Sequence, residues 1–525
     1  QHTNRPALLL VTSGPGVTNA ITPVTAGWID STPMFVISGQ AKRSDLVGDT
    51  GVRQIGSQEV PTIPMVSPVT KYAVEVMEPT EIRYHLERAW YEATSGRPGP
   101  VWLSIPLDVQ GAQVDETALE GYDPPAQCDP DYADAAKRCM ELLRESKKPL
   151  LLAGNGIKLS GGEDALFQFL DKLPIPVQTT WKTIDMLSED HPLYVGHPGI
   201  MGDRGANLIL QECDLLISVG SRLDTSLTAF NEANFAKCAK KVVVDIDSHE
   251  LDRMKLDKEL ELAGDARQFL EMLVYAAEGA TFPREDWHDW LAHGKALREK
   301  YPVVTSGHRE KTGTVSPYYF IDRLCDVLTS KDIIVPESSG GAGEITYQAF
   351  RLKQGQKMKH AAGLGSMGFG LPYAIGSCIA NDGRRTVLIN GDGAFQLNIQ
   401  ELETVHRLGL PIKMFIWCND GYASIRSMQS NNFGRHVASG PESGYTLPNV
   451  GAVARAYGIP AFEIRSNQEL SRLDEILNIE GPVLCRVFTD PNETVAPRVK
   501  AFPQPDGSMK SGTLENMWPM LRNGG

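Results

Sequence analysis

The chain has 525 residues, 42% of them apolar and 22% charged, usage that excludes wholesale disorder and leaves room for several hydrophobic cores. Its 51 Lys and Arg against 65 Asp and Glu give a formal charge of −14 with no basic block, which argues against nucleic acid or an anionic membrane as partner. The eight cysteines form no CxxC pair and no zinc-like spacing with histidine, the pattern of reduced thiols in a cytoplasmic protein.

In chain order, Gln1-His-Thr-Asn-Arg-Pro leads without a signal-peptide pattern into an apolar run at 7–11. Further short Val/Ile/Leu-rich runs fall at 34–38, 101–105, 149–153, 215–219, 241–245, 333–336, 386–389, 412–417 and 482–487, separated by helical patterns and Gly-rich turns. Continuous apolar strands alternating with helices indicate parallel sheets covered on both faces, so the fold class is α/β with repeated doubly wound sheets. A turn-rich linker is expected near 112–130 and a connecting helix and loop at 285–311. The expected domains are therefore 1–115, 130–280 and 310–525. Residues 361–380 carry no charge, but their Gly, Ser and Pro content suits a loop entering a helix and not a membrane span.

The run at 386–389 ends in Gly391-Asp392-Gly393-Ala394. A helix is expected at 397–408, then the strand at 412–417 ends in Asn419-Asp420-Gly421-Tyr422. Asp392 and Asn419 thus sit at the carboxyl ends of two strands, where open α/β sheets bind ligands. A carboxylate, an amide oxygen and a free carbonyl are hard donors suited to Mg²⁺ shared with phosphate oxygens, and the amides of Gly393 and Ala394 face a diphosphate.

Gly391-Asp392-Gly393, 25 intervening residues and Asn419 resemble the signature of thiamine diphosphate enzymes. The segments Ser13-Gly14-Pro15-Gly16-Val17-Thr18-Asn19 and Gly365-Ser366-Met367-Gly368-Phe369-Gly370 resemble two further segments of that family. Nearly the whole chain is similar to the catalytic subunit of acetohydroxyacid synthase and its acetolactate-synthase-like relatives. The resemblance implies three α/β domains (pyrimidine-binding, central, diphosphate-binding) and a ligand set of Asp392, Asn419 and the Gly421 carbonyl for Mg²⁺. It places Gly340 and Gly341 on the diphosphate and the Gly365 carbonyl on the aminopyrimidine. It also places Ser366 and Met367 against the cofactor, with Met367 wedged between its two rings. Pro15 and Asn19 fall near the active site, Gln58 on the substrate side, and Tyr422 and Ile425 along the pocket.

The chemistry implied is decarboxylation of pyruvate and transfer of the two-carbon unit to a second carbonyl. A simple 2-oxo acid decarboxylase, a carboligase with a different acceptor such as a keto sugar, and a non-catalytic paralogue are the alternatives. The resemblance further implies FAD in the central domain, against Gly154, Asn155, Gly156, Thr180, Gly196, His197, Gly220, Arg222, Asp224, Gly264 and Asp265. It implies a homodimer or homotetramer and leaves a regulatory subunit undetermined.

Four departures qualify the resemblance. Thr225 and Ser226 stand where the flavin-binding branch has Asp and Arg. Gly341-Ala342-Gly343 replaces Gln-His-Gln, and Met428 replaces a Trp that shapes the acceptor pocket. The segment Tyr422-Ala-Ser-Ile-Arg-Ser-Met-Gln is closer to synthase-like proteins of polysaccharide and specialised biosynthesis. Finally, the family's Glu that protonates the pyrimidine ring lies upstream of the first strand and has no counterpart here. The expectation is therefore an N-terminally shortened chain, inactive without that Glu; Glu59 does not replace it by position.

Overall fold

Apolar runs with few turns between them become parallel strands throughout. In the first compact unit, Thr3–Asp129, four strands lie in the order β1-β2-β4-β3. These are β1 (Ala7–Val11), β2 (Met34–Gln40), β3 (Tyr72–Glu75) and β4 (Pro100–Pro106). β1 pairs with β2 from Ala7 opposite Met34 to Val11 opposite Ser38 and forms the sheet edge. Leu8 and Leu10 on it are 63% and 67% exposed, unusual for a parallel strand. Pro15 opens the helix Pro15–Ile29 at a position that needs no amide. The computed structural model describes residues 1–126 and 128–521.

The second unit, from Pro130 onward, holds two larger parallel sheets. The first has the order β6-β5-β7-β8-β9, from β5 (Pro149–Ala153), β6 (Val177–Thr179), β7 (Leu215–Val219), β8 (Lys240–Asp245) and β9 (Leu260–Ala263). The second has the order β11-β10-β12-β13-β15-β14, from β10 (Ile333–Pro336), β11 (Lys357–Met358), β12 (Thr386–Gly391), β13 (Ile412–Cys418), β14 (Ala461–Ile464) and β15 (Val483–Phe488). Alternation along the strands splits each core in two. Leu151, Ala153, Ile217 and Val219 enter one apolar cluster, and Leu150, Leu152 and Leu216 another. Val387 and Ile389 likewise part from Leu388. Period-two side chains on a sheet covered on both faces require this division. Lys413, within the otherwise apolar β13, is buried because its ammonium reaches the carbonyls of Ile479 and Gly481 at the sheet's end.

Two local features differ from expectation. The helix expected at 397–408 starts earlier, with one α-helical turn at Asp392–Phe395, and then divides into a 3₁₀ stretch at Gln396–Glu401 and an α-helix at Leu402–Arg407. Asn398 departs from helical geometry, and its Nδ2 donates to the Gly368 carbonyl at 2.7 Å. That bond ties the side chain to the Gly365–Gly370 turn at the residue where the backbone leaves helical geometry. The segment after β15 also leaves the third sheet. Val499, Leu514 and Met517 are buried in the core of the β5–β9 sheet, and a short hairpin, β16 (Ala501–Pro503) and β17 (Met509–Ser511), lies between them. Of the eight free cysteines, Cys128 and Cys238 are exposed and the other six buried. Residues 361–380 enter the helix Gly370–Ile379, and among the described residues no helix is long and apolar enough to cross a membrane.

Candidate active site

The carboxyl ends of β10, β12 and β13 bring the family-signature residues together. Asp392, directly after β12, is 4% exposed. Its Oδ2 accepts the N–H groups of Asn419 and Asp420, both at 3.0 Å, and its Oδ1 accepts that of Gly393 at 2.8 Å. Burial, and to a lesser degree the neighbouring Asp420 charge, pushes its carboxyl up to about 7 despite those three donors. The Asn419 amide sits beside the Gly421 carbonyl (2.9 Å) and Asp392 Oδ1 (3.3 Å). With nitrogen inward it donates to both; with oxygen inward three hard oxygens converge. A divalent cation reconciles the second arrangement and would lower the carboxyl again, so the donor set fits Mg²⁺. Gly421 has φ +133°, and a Cβ there would stand 2.5 Å from the Ser439 carbonyl, so only glycine keeps this carbonyl in place.

Gly340 (φ +75°) caps the helix Gly341–Ala349, and its Cα side faces Ser424, whose Oγ would lie 3.4 Å from a Cβ there. Gly365 (φ +70°) faces the same turn, 3.8 Å from Ser339 Cβ by the same measure. Ser366 is half-buried and Met367 is 41% exposed, so the turn presents a thioether outward. Ala394 is buried. Gly393 differs from expectation: its N–H is taken by Asp392, and the Tyr422 ring covers it so closely that a Cβ would lie 2.6 Å from the ring. Tyr422 stacks on Tyr445, with centroids 4.4 Å apart, and Ile425 is half-buried one turn along.

Sequence reasoning missed Ser424, Tyr445 and a buried carboxyl beneath the site. Glu337, fully buried after β10, accepts N–H groups from Ser338 (2.8 Å) and Gly370 (3.2 Å), and burial raises its pKa. Thus one carboxyl ties the Gly340 turn to the Gly365–Gly370 turn. Neither Glu337 nor Tyr445 belongs to a fixed spacing; only an apolar run ending in an acid hinted at the first.

In the first unit, Pro15 and Asn19 are exposed on the opening turn of their helix, and Gln58 (φ +60°) lies against Gly14, where a Cβ would meet the Gln58 carbonyl at 2.6 Å. Glu59 is buried. Its carboxylate accepts the N–H groups of Val47, Ile55 and Gly56, which outweigh burial and lower its pKa. It ties a loop and does not offer a proton.

The flavin candidates line the carboxyl edge of the β5–β9 sheet, but each has a partner or a packing reason within the protein. Gly154 and Gly156 lie against the Gly220 backbone, where a Cβ would come within 2.2 and 2.7 Å. Asn155 opens the helix Asn155–Leu159, and the Thr180 N–H donates to Thr183 Oγ1. Gly196 packs on Asp203, and buried His197 stands between the Tyr194 hydroxyl (3.4 Å) and Asp203 (3.7 Å), its pKa lowered by desolvation. Arg222 and Asp224 pair at 3.8 Å near the surface. Gly264 packs on Tyr132, and Asp265 caps the helix Ala266–Ala276.

Three family models match in order: the thiamine pyrophosphate enzyme N-terminal TPP-binding domain at 1–61, central domain at 136–273 and C-terminal TPP-binding domain at 339–487. The acetolactate synthase large subunit of Lactococcus lactis is 30% identical over 502 residues, 94% of this chain and 83% of that protein. The chain belongs to the thiamine pyrophosphate enzyme family. Isozyme 1 large subunit of Escherichia coli acetolactate synthase is 31% identical over 94% of this chain and 84% of its own length. Acetolactate synthase 2, chloroplastic, of Zea mays is 30% identical over 95% and 78%. The three sheets are thus the three domains of a thiamine diphosphate enzyme related to acetolactate synthases.

Proposed function

We propose that this enzyme decarboxylates pyruvate and transfers the two-carbon unit to a second carbonyl, with thiamine diphosphate and Mg²⁺, as a homodimer or homotetramer. The observation that carries the reading is the meeting of Asp392, Asn419 and Gly421 at adjacent strand ends, in a chain similar over nearly its full length to acetolactate synthases. When bound, the cofactor supplies the nucleophilic carbon and takes up the electron pair left by CO₂. Asp392, the Asn419 side chain and the Gly421 carbonyl would hold the cation. The Gly340–Gly341 turn would receive the diphosphate, the Gly365 carbonyl would accept a hydrogen bond from the aminopyrimidine, and Met367 would support its bend. The stacked rings of Tyr422 and Tyr445 would cover one side of the bound cofactor.

The acceptor is proposed to differ from 2-oxobutyrate. Met428 is 46% exposed and flexible where a rigid indole would discriminate, and Gly341-Ala342-Gly343 offers no side-chain donors. Incubation of the full-length protein with pyruvate, thiamine diphosphate and Mg²⁺ tests the reading. Acetolactate or a related acyloin is the expected product; acetaldehyde alone would indicate a simple decarboxylase, and no CO₂ would sink both. A flavin absorption band in the purified protein is the separate test for FAD.

A further inference from the structure

Arg426 carries a charge into the interior beside the metal turn. It is 5% exposed, on the helix Ala423–Phe433, one turn beyond Tyr422. Its guanidinium donates to four backbone carbonyls. One terminal nitrogen reaches Asn419 (3.3 Å) and Pro491 (2.9 Å); the other reaches Asp420 (3.1 Å) and Ser439 (3.1 Å). Glu442 stands 3.7 Å from Nε.

Two of these carbonyls belong to the turn itself. With their oxygens held from behind, Asn419 and Asp420 point their N–H groups at Asp392 Oδ2, and the Gly421 oxygen is left facing the Asn419 side chain. The Ser439 carbonyl also accepts the Tyr422 N–H at 3.0 Å and presses against Gly421. Arg426 therefore fixes the turn from one side and the returning loop from the other. A planar fork with five donors can serve four carbonyls at once; an ammonium with three cannot.

We propose that Arg426 is a positioning residue for the divalent cation, holding the Asn419–Gly421 turn so that its oxygens converge on Asp392. The proposal rests on the thiamine diphosphate and Mg²⁺ reading above. Its test is direct Mn²⁺ binding by electron paramagnetic resonance in the presence of thiamine diphosphate, alongside the thermal midpoint of the cofactor-free protein. Arg426→Gln is expected to weaken Mn²⁺ binding by about tenfold or more, as loss of a partner that orients metal ligands does, and to lower the midpoint because at least two of the four carbonyls lose their donor, while staying folded at the temperature of the titration. Arg426→Lys is expected to fold and to fall between the two. Wild-type Mn²⁺ affinity in a folded Arg426→Gln protein would overturn the proposal. If the Gln variant does not fold, the Lys variant decides: weakened Mn²⁺ binding supports positioning, while full wild-type affinity, or failure of both variants to fold, marks Arg426 as a packing residue and overturns it. Failure of the wild-type protein to bind Mn²⁺ with thiamine diphosphate would instead reject the metal reading itself.

Discussion

Asp392 shows how one side chain can be structural and functional at once. Its two oxygens absorb three backbone N–H groups, so Asp392→Ala leaves three buried donors unpaired, at about 1–3 kcal/mol each, besides removing the metal ligand. Asp392→Asn keeps one carbonyl oxygen and removes the charge. Both variants are expected to lose Mg²⁺-dependent binding of thiamine diphosphate, read as tryptophan fluorescence quenching, and the Ala variant is expected to melt earlier. Unchanged cofactor affinity in the Asn variant would remove Asp392 from the metal site. The position of Asp392 was legible because strand, Gly-Asp-Gly turn and a second strand ending in Asn are local patterns. Arg426 was not, because its four acceptors are spread from Asn419 to Pro491, and no spacing announces a guanidinium that serves carbonyls. Gly393 was read as an amide donor for diphosphate because its place at a helix start suggests it, but its N–H turns to the neighbouring carboxylate instead.

Elements were legible where burial is continuous and ambiguous where a distant partner decides. β5, β7 and β13 are apolar runs buried throughout, and they stand where the hydropathy places them. The break at Asn398 coincides with a bond to a carbonyl 30 residues upstream, which helix periodicity does not register. The C-terminal segment is a stronger case. Its attachment rests on Glu515, which accepts from Gln211 (2.8 Å), Asn234 (3.0 Å) and Lys237 (3.0 Å), while buried Arg204 donates to the carbonyls of Met517 and Pro519. Burial opposes the Glu515 charge, but those hydrogen bonds outweigh it and bring the pKa from 4.5 down to about 2. A depressed folded-state pKa means that the carboxylate's contribution is full above about 4.5 and lost as pH falls toward 2. Hydrogen exchange, corrected for intrinsic rate, is expected to show 499–517 loosening over that window before the strands of the β5–β9 sheet. Glu515→Gln is expected to show the looser segment already at neutral pH; equal protection in both proteins would assign the attachment to Met517 and Leu514 packing alone.

At the scale of the whole molecule, three parallel sheets follow from alternating apolar runs and helices, since each sheet needs cover on both faces. The pairing of two sheets into one unit does not follow, because it depends on a tail that returns to an earlier core. The proposed catalytic parts are divided accordingly: Pro15, Asn19 and Gln58 lie in the first unit, and the metal and diphosphate residues in the second. If the active unit is a homodimer whose sites each combine the first unit of one subunit with the second unit of its partner, complementation reveals it. Gln58→Ala and Asp392→Ala are each expected to be nearly inactive alone. In a mixed dimer, one site carries both lesions and the other carries neither. Random assembly of equal amounts makes half the dimers mixed, each with one intact site of two, so co-expression is expected to restore about a quarter of wild-type activity. Separately purified and mixed proteins should recover it only as subunits exchange. If each site is instead built within one chain, every site in the mixture keeps one lesion and no activity returns, so the experiment separates the two architectures without any assumption about the acceptor.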